Sequence, residues 1–186
     1  MDQETMNNGL GYYRIKTEWT KETSTGALTK VKTEELVLAS SYTEAEKVAY
    51  GIIEDQSRTQ FGSANLEIIK TKISNVLFNG ILAQDPKPIC GLICNFFEES
   101  EESGFGFYTV KVVYFETDEK SGRTKNSSDM FFVPATSNAN AIARVERKLA
   151  DSTLDFVIRD TKFDKAEAIY WPESVHQDKV KELDLA

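Results

Sequence analysis

Histidine and cysteine are scarce in this chain: among 186 residues there is one histidine, His176, and there are two cysteines, Cys90 and Cys94. A four-ligand zinc site of cysteine and histidine cannot be assembled from that set. In Cys-Gly-Leu-Ile-Cys three residues separate the thiols instead of the two of a thioredoxin-type redox pair, so both are expected as buried or half-buried groups in a reducing compartment. Long apolar runs are missing as well, and none approaches the ~20 residues that a membrane-crossing helix needs. The opening Met1-Asp2-Gln3-Glu4 is acidic where a secretion signal is basic. A cytoplasmic protein without a membrane partner is expected.

Marks of the common enzyme classes are equally sparse. The chain has no Gly-x-x-x-x-Gly-Lys phosphate loop, no Gly-x-Ser-x-Gly elbow and no His-Glu-x-x-His, and Gly104-Phe105-Gly106 lacks the rest of a dinucleotide fingerprint. His176 follows Pro172 in the polar C-terminal stretch, where a surface histidine is the simpler reading. No catalytic residue, metal ligand or cofactor is assigned, and an enzyme is not expected. A carboxylate-based, metal-dependent hydrolase stays open, because pairing of acids is invisible in sequence.

What is present is self-similarity. Tyr13-Arg14-Ile15-Lys16-Thr17-Glu18-Trp19 is echoed by Tyr108-Thr109-Val110-Lys111-Val112-Val113-Tyr114, each alternating as a half-buried strand does. Each runs into a polar, glycine-containing turn, residues 21–26 and 118–122, then into a second strand, residues 30–39 and 125–135. A helix is expected next in both copies. The first is announced by Thr43-Glu44-Ala45-Glu46, with Thr43 as cap, and the second by Asn138 as cap. A third strand closes each series, residues 66–78 around Thr71-Lys72-Ile73 and residues 156–171 around Thr161-Lys162-Phe163.

The fold expected is therefore α+β: tandem duplicated ββαβ units, residues 1–79 and 105–171, with antiparallel sheets and one helix per unit. Residues 80–104 read as an inserted linker whose apolar stretch, residues 89–97, packs on the fold and whose acidic run, residues 98–102, is a solvated loop. Residues 172–186 read as a polar tail. The formal net charge is −8, and most of it lies in the linker and the tail rather than in the repeats.

These same segments carry a resemblance. The Tyr-Arg-Ile-Lys strand, Ser41-Tyr42-Thr43-Glu44-Ala45-Glu46, Thr71-Lys72-Ile73-Ser74 and the hairpin over residues 118–125 together resemble an uncharacterised family of small proteins from gut Bacteroidales and their crAss-like phages. The likeness covers residues 11–171 and departs in the longer linker and the extended tail. It implies a phage or mobile-element setting inside a bacterial host cell and supplies no reaction.

If the Tyr13/Trp19 and Tyr108/Tyr114 faces pack on the helices, the opposite faces carry Tyr12, Arg14, Lys16, Lys30, Lys32, Lys70 and Lys72 in the first copy, and Lys111, Lys125, Arg159 and Lys162 in the second. Cations interleaved with aromatic rings suit single-stranded nucleic acid, since charges neutralise phosphates and rings stack on bases. Lysine on strands also serves solubility and edge protection, and Glu18, Glu34 and Asp129 interrupt the pattern. The first expectation is a nonenzymatic protein that binds single-stranded DNA in phage or mobile-element genome handling. The alternative is a protein-interaction module or host-interaction factor, engaging a partner or a second copy as a homodimer through sheet edges, the residue 89–97 patch or the acidic tail.

Overall fold

The computed structural model describes residues 9–77, 88–96 and 105–184. In chain order these form β1 (Gly11–Glu22), β2 (Leu28–Ala39), α1 (Tyr42–Asp55), β3 (Asn65–Lys70), β4 (Asn75–Val76), β5 (Leu92–Phe96), β6 (Gly106–Thr117), β7 (Thr124–Ala135), α2 (Asn138–Lys148), β8 (Asp155–Asp164), β9 (Ala168–Pro172) and α3 (Glu173–Asp184). The protein is α+β and mostly strand. One sheet has five strands in the order β3-β1-β2-β9-β5, the other four in the order β4-β7-β6-β8.

The long hairpins follow from the sequence pattern. β1 and β2 pair antiparallel from Gly11↔Ala39 to Glu22↔Leu28, and β6 and β7 pair from Gly106↔Ala135 to Thr117↔Thr124. Directly paired residues share a face and successive residues alternate. Tyr13, Ile15, Val37 and Ala39 therefore turn together toward Ala45, Val48, Ala49 and Ile52 of α1, forming one core. Tyr108, Val110, Val112, Phe131, Val133 and Ala135 do the same toward Ala141 and Val145 of α2. Each fully buried Val, Ile or Phe contributes about 1.5–3 kcal/mol, which is why both helices are short yet fixed.

The helix starts differ in detail from expectation. Ser41 caps α1 by accepting from Glu44 N, and Glu44 reaches back to Ser40 N at 2.6 Å. Ser137 caps α2 by accepting from Asn140 N, while Asn140 Oδ1 accepts from Thr136 N. The caps are thus Ser41 and Ser137 rather than Thr43 and Asn138. In each case the extended residue just before the first helical turn is the one whose side chain can reach the free amides.

The third strands also depart from expectation, and the sheets are mixed instead of antiparallel. β3 and β8 pair antiparallel with β1 and β6, but each ends early, and the next segment joins the other sheet. Beyond β3, Ser74 N donates to Met130 O and β4 runs parallel to β7. Beyond β8, Glu167 N donates to Glu34 O and β9 runs parallel to β2. Two compact units result, one holding β1, β2, α1, β3, β5, β9 and α3, the other β4, β6, β7, α2 and β8. Neither unit is a contiguous stretch of chain, unlike the division at residues 79/80 and 104/105.

The described part of the linker's apolar stretch, residues 89–96, packs into the first unit, and residue 97 lies outside the described residues. β5 pairs antiparallel with β9, and Ile89 and Leu92 join the α1 core. Gly51 makes room for it, since a Cβ there would meet Cys90 Sγ at 2.9 Å and Ile89 Cγ2 at 3.0 Å. Gly106 has a matching reason in the second unit, where the Phe163 ring lies 2.6 Å from a Cβ's position. The acidic run 98–102 and the last residues, 185–186, lie outside the described residues. The tail from Glu173 is helical as α3.

Candidate functional site

The residues expected to bind nucleic acid are divided between the units. In the first, Arg14, Lys16, Lys30 and Lys32 share the face of the β1–β2 hairpin that points away from α1. Carboxylates stand among them. Arg14 Nη1 lies 3.0 Å from Glu34, Lys16 Nζ 3.3 Å from Glu67, and Lys30 and Lys32 hold Glu18 at 3.1 and 2.9 Å. The hydrogen bond from Lys32, then that from Lys30, keeps the Glu18 carboxyl below its usual value. Tyr12 begins the same face but is buried, and burial raises its phenol. A buried ring offers no surface to a base. Lys70 pairs with Tyr13 and so projects on the α1 side, because β3 enters in that register.

In the second unit, Lys72 is exposed on the stretch between β3 and β4. Lys111 and Lys162 lie on the face away from α2, where Asp160 sits 2.8 Å from Lys162 and also feels the Lys111 charge. Lys125 pairs with Glu116 on the opposite face, and Arg159 falls in the bulge of β8 between the partners of Lys111 and Val112. Four of the expected cations are therefore gathered on one face of the first unit, beside acids, Lys111 and Lys162 share a face of the second, and the others are dispersed.

Sequence reasoning missed two other features. The first is a charged cluster inside the first unit, on the α1 side of the sheet. Arg58, just past α1, is 2% exposed and Glu35 of β2 is 3% exposed, and their charged groups meet at 2.6 Å. Arg58 also donates to Thr33 Oγ1 at 2.8 Å and to Gln56 Oε1 through both Nε and Nη2, and its guanidinium lies 4.9 Å from the Trp19 ring centre. Gln56 Nε2 donates to Tyr170 Oη at 3.3 Å. Tyr170 faces Cys94 in the β5–β9 register. Burial pushes the Cys94 thiol up, against the hydrogen bond from Tyr170, and burial likewise raises the Tyr170 phenol. Glu167, just before β9, has its carboxyl raised by partial burial and then by Glu35. The signal was in the strand itself: alternation places Glu35 on the face of Val37, so a carboxylate had to enter the core. For Arg58 there was none.

The second feature is apolar. On the four-stranded sheet's face away from α2, Val113 pairs with Val157 of β8, and Phe115 follows two residues on. Val157 is 44% exposed, and Val113 and Phe115 are half-buried. Lys111, Asp160, Lys162, Asn126 and Ser128 surround them on that face. Toward the Gly106 end the face closes over, with Phe107 and Phe132 buried and stacked at 4.3 Å. The continuous run Val112-Val113-Tyr114-Phe115 was the legible sign, since an apolar run without alternation marks a strand with both faces in use.

Residues 11–173 match a family described as a domain of unknown function (DUF4494). The chain belongs to that family. No curated protein and no solved structure matches it. The DUF4494 match takes in both hairpins, both helices that pack on them and the charged cluster, and ends at the first residue of α3.

Among the described residues of this DUF4494 chain, no group of three or more His, Cys, Asp or Glu side chains is arranged to hold a metal ion. No helix among them is long and apolar enough to cross a membrane. Both cysteines are free thiols, Cys90 exposed and Cys94 half-buried.

Proposed function

We propose that this DUF4494 chain is a nonenzymatic binding module that docks a protein partner on the face formed by Val113, Phe115 and Val157. The observation that carries this reading is Val157, a β-branched side chain 44% exposed beside Val113 in the sheet, with charged and amide groups around the patch. An apolar centre within a polar rim is the usual anatomy of a protein interface. The single-stranded DNA reading is less well supported. Phosphate binding draws its strength from cations that release counterions, and Arg14, Lys16, Lys30, Lys32 and Lys162 already face carboxylates.

The two ββα series with their closing strands are, in this proposal, copies of one ancestral ββαβ unit. Support comes from the matched registers of the hairpins and from the matched crossing bonds, Ser74 N to Met130 O and Glu167 N to Glu34 O. Divergence then left one copy with the charged interior and the other with the apolar outer surface.

The test uses the full chain as bait in a lysate of the cells that make it, compared with Val157→Asp and with the double variant Lys16→Glu/Lys111→Glu. A partner retained by the wild type and by the lysine variant, but lost with Val157→Asp, supports the proposal. A salt-sensitive shift of a labelled single-stranded oligonucleotide that disappears only in the lysine variant overturns it in favour of nucleic acid.

A further inference from the structure

The geometry points to one bound water molecule inside the five-stranded unit, held between Thr17 Oγ1 and Glu35 Oε2. Both residues are almost wholly enclosed, Thr17 being 2% and Glu35 3% exposed, and both of these oxygens are without a hydrogen-bond partner among the described residues. An unsatisfied carboxylate oxygen away from solvent is strongly unfavourable. The cluster's own donors are directed elsewhere: Arg58 serves Glu35 Oε1, Thr33 and Gln56, and the Tyr170 hydroxyl lies between Gln56 and Cys94.

The register supplies the span. Thr17 pairs with Thr33, and Ile15 pairs with Glu35, so Thr17 and Glu35 are diagonal neighbours on the α1 side of adjacent strands. Diagonal neighbours on a sheet face have Cβ atoms somewhat under about 7–8 Å apart, and two hydrogen bonds through a water bridge about 5.5 Å. The bridging group must donate to a carboxylate and carry no charge, because the Arg58–Glu35 pair is already balanced. Water fits: it donates one proton to Glu35 Oε2 and uses another proton or a lone pair for Thr17 Oγ1. Buried waters are held by a few such polar partners in otherwise closed interiors. The second unit is an internal control. The same register positions there are Val112 and Phe131, whose own side chains carry no polar atom to hold a water.

Oxygen-17 relaxation dispersion on the full chain counts long-lived internal waters. The wild type and Thr17→Ser are expected to hold one more than Thr17→Val. Equal counts in the wild type and Thr17→Val would overturn the assignment. Should Thr17→Val not fold, a wild-type crystal structure at high resolution decides. Density for a water within hydrogen-bond distance of both oxygens sustains the site, whereas a direct Thr17–Glu35 hydrogen bond removes it.

Discussion

The β1–β2 and β6–β7 hairpins have the same length, the same register at their paired ends and the same helix-packing face, yet they carry opposite chemistry. On the side facing its helix, the first has Thr17, Thr33 and Glu35 where the second has Val112, Asp129 and Phe131. On the other side, the first has Glu18 with Lys32, ion-paired, where the second has Val113 with Ser128, continued by Phe115 and by Val157 of β8. Backbone pairing thus tolerates either a polar or an apolar side chain at one position, provided the neighbours answer it. Glu35 is answered by Arg58, whereas the outer Val113 meets Val157 and both stay partly open to solvent.

The largest expected effect breaks the first hairpin's solution. Arg58→Met should lower the unfolding free energy in urea by about 3–5 kcal/mol, since it leaves Glu35 as a buried charge without its cation. Adding Glu35→Leu should recover most of that loss, making the first interior resemble the second. A double variant as unstable as the single one would show that the pair is not the reason for the cost. Next comes the reverse exchange in the second unit: Val112→Thr puts a hydroxyl at a fully buried position whose cross-strand partner is Asp129, at a cost of about 1–3 kcal/mol by the same measurement.

A smaller effect tests what the hairpins share. Ser41→Ala and Ser137→Ala each remove an oxygen that accepts a helix amide, so each should cost about 1 kcal/mol in thermal or urea unfolding. Very different losses would mean that the two helix starts are not equivalent.

The smallest effects are in pH dependence. Ser40's hydrogen bonds hold the Glu44 carboxyl below its ordinary value. Its contribution is complete above the unfolded value and is lost as the pH falls through the folded one, so it weakens only at acid pH. Tyr114 has the opposite sign. Burial, and then Asp129, push its phenol up to about 12 from 10.0, so stability falls as the pH rises through that window. Absorbance titration of phenolate should lose the step near 12 in Tyr114→Phe, and an unchanged curve would contradict the assignment.

Much of this fold was readable. The alternation in Tyr13-Arg14-Ile15-Lys16-Thr17 and Tyr108-Thr109-Val110-Lys111-Val112 identified the strands and their helix-facing sides, and the apolar stretch around Ile89 and Leu92 was expected to pack, as it does. Periodicity cannot tell which sheet a strand joins, so residues 66–78 and 156–171 read as single strands although each feeds both sheets. The cations were legible as residues but not as pairs, because Glu67 reaches Lys16 from β3, 51 positions along the chain. The outer apolar face was written plainly in Val112-Val113-Tyr114-Phe115, an apolar run without alternation.

The most direct test follows backbone amide shifts of the labelled full chain as the captured partner is added. Perturbation centred on Val113, Phe115 and Val157 is the predicted result. Shifts centred instead on Arg14, Lys16, Lys30 and Lys32, with β8 unmoved, would contradict the account.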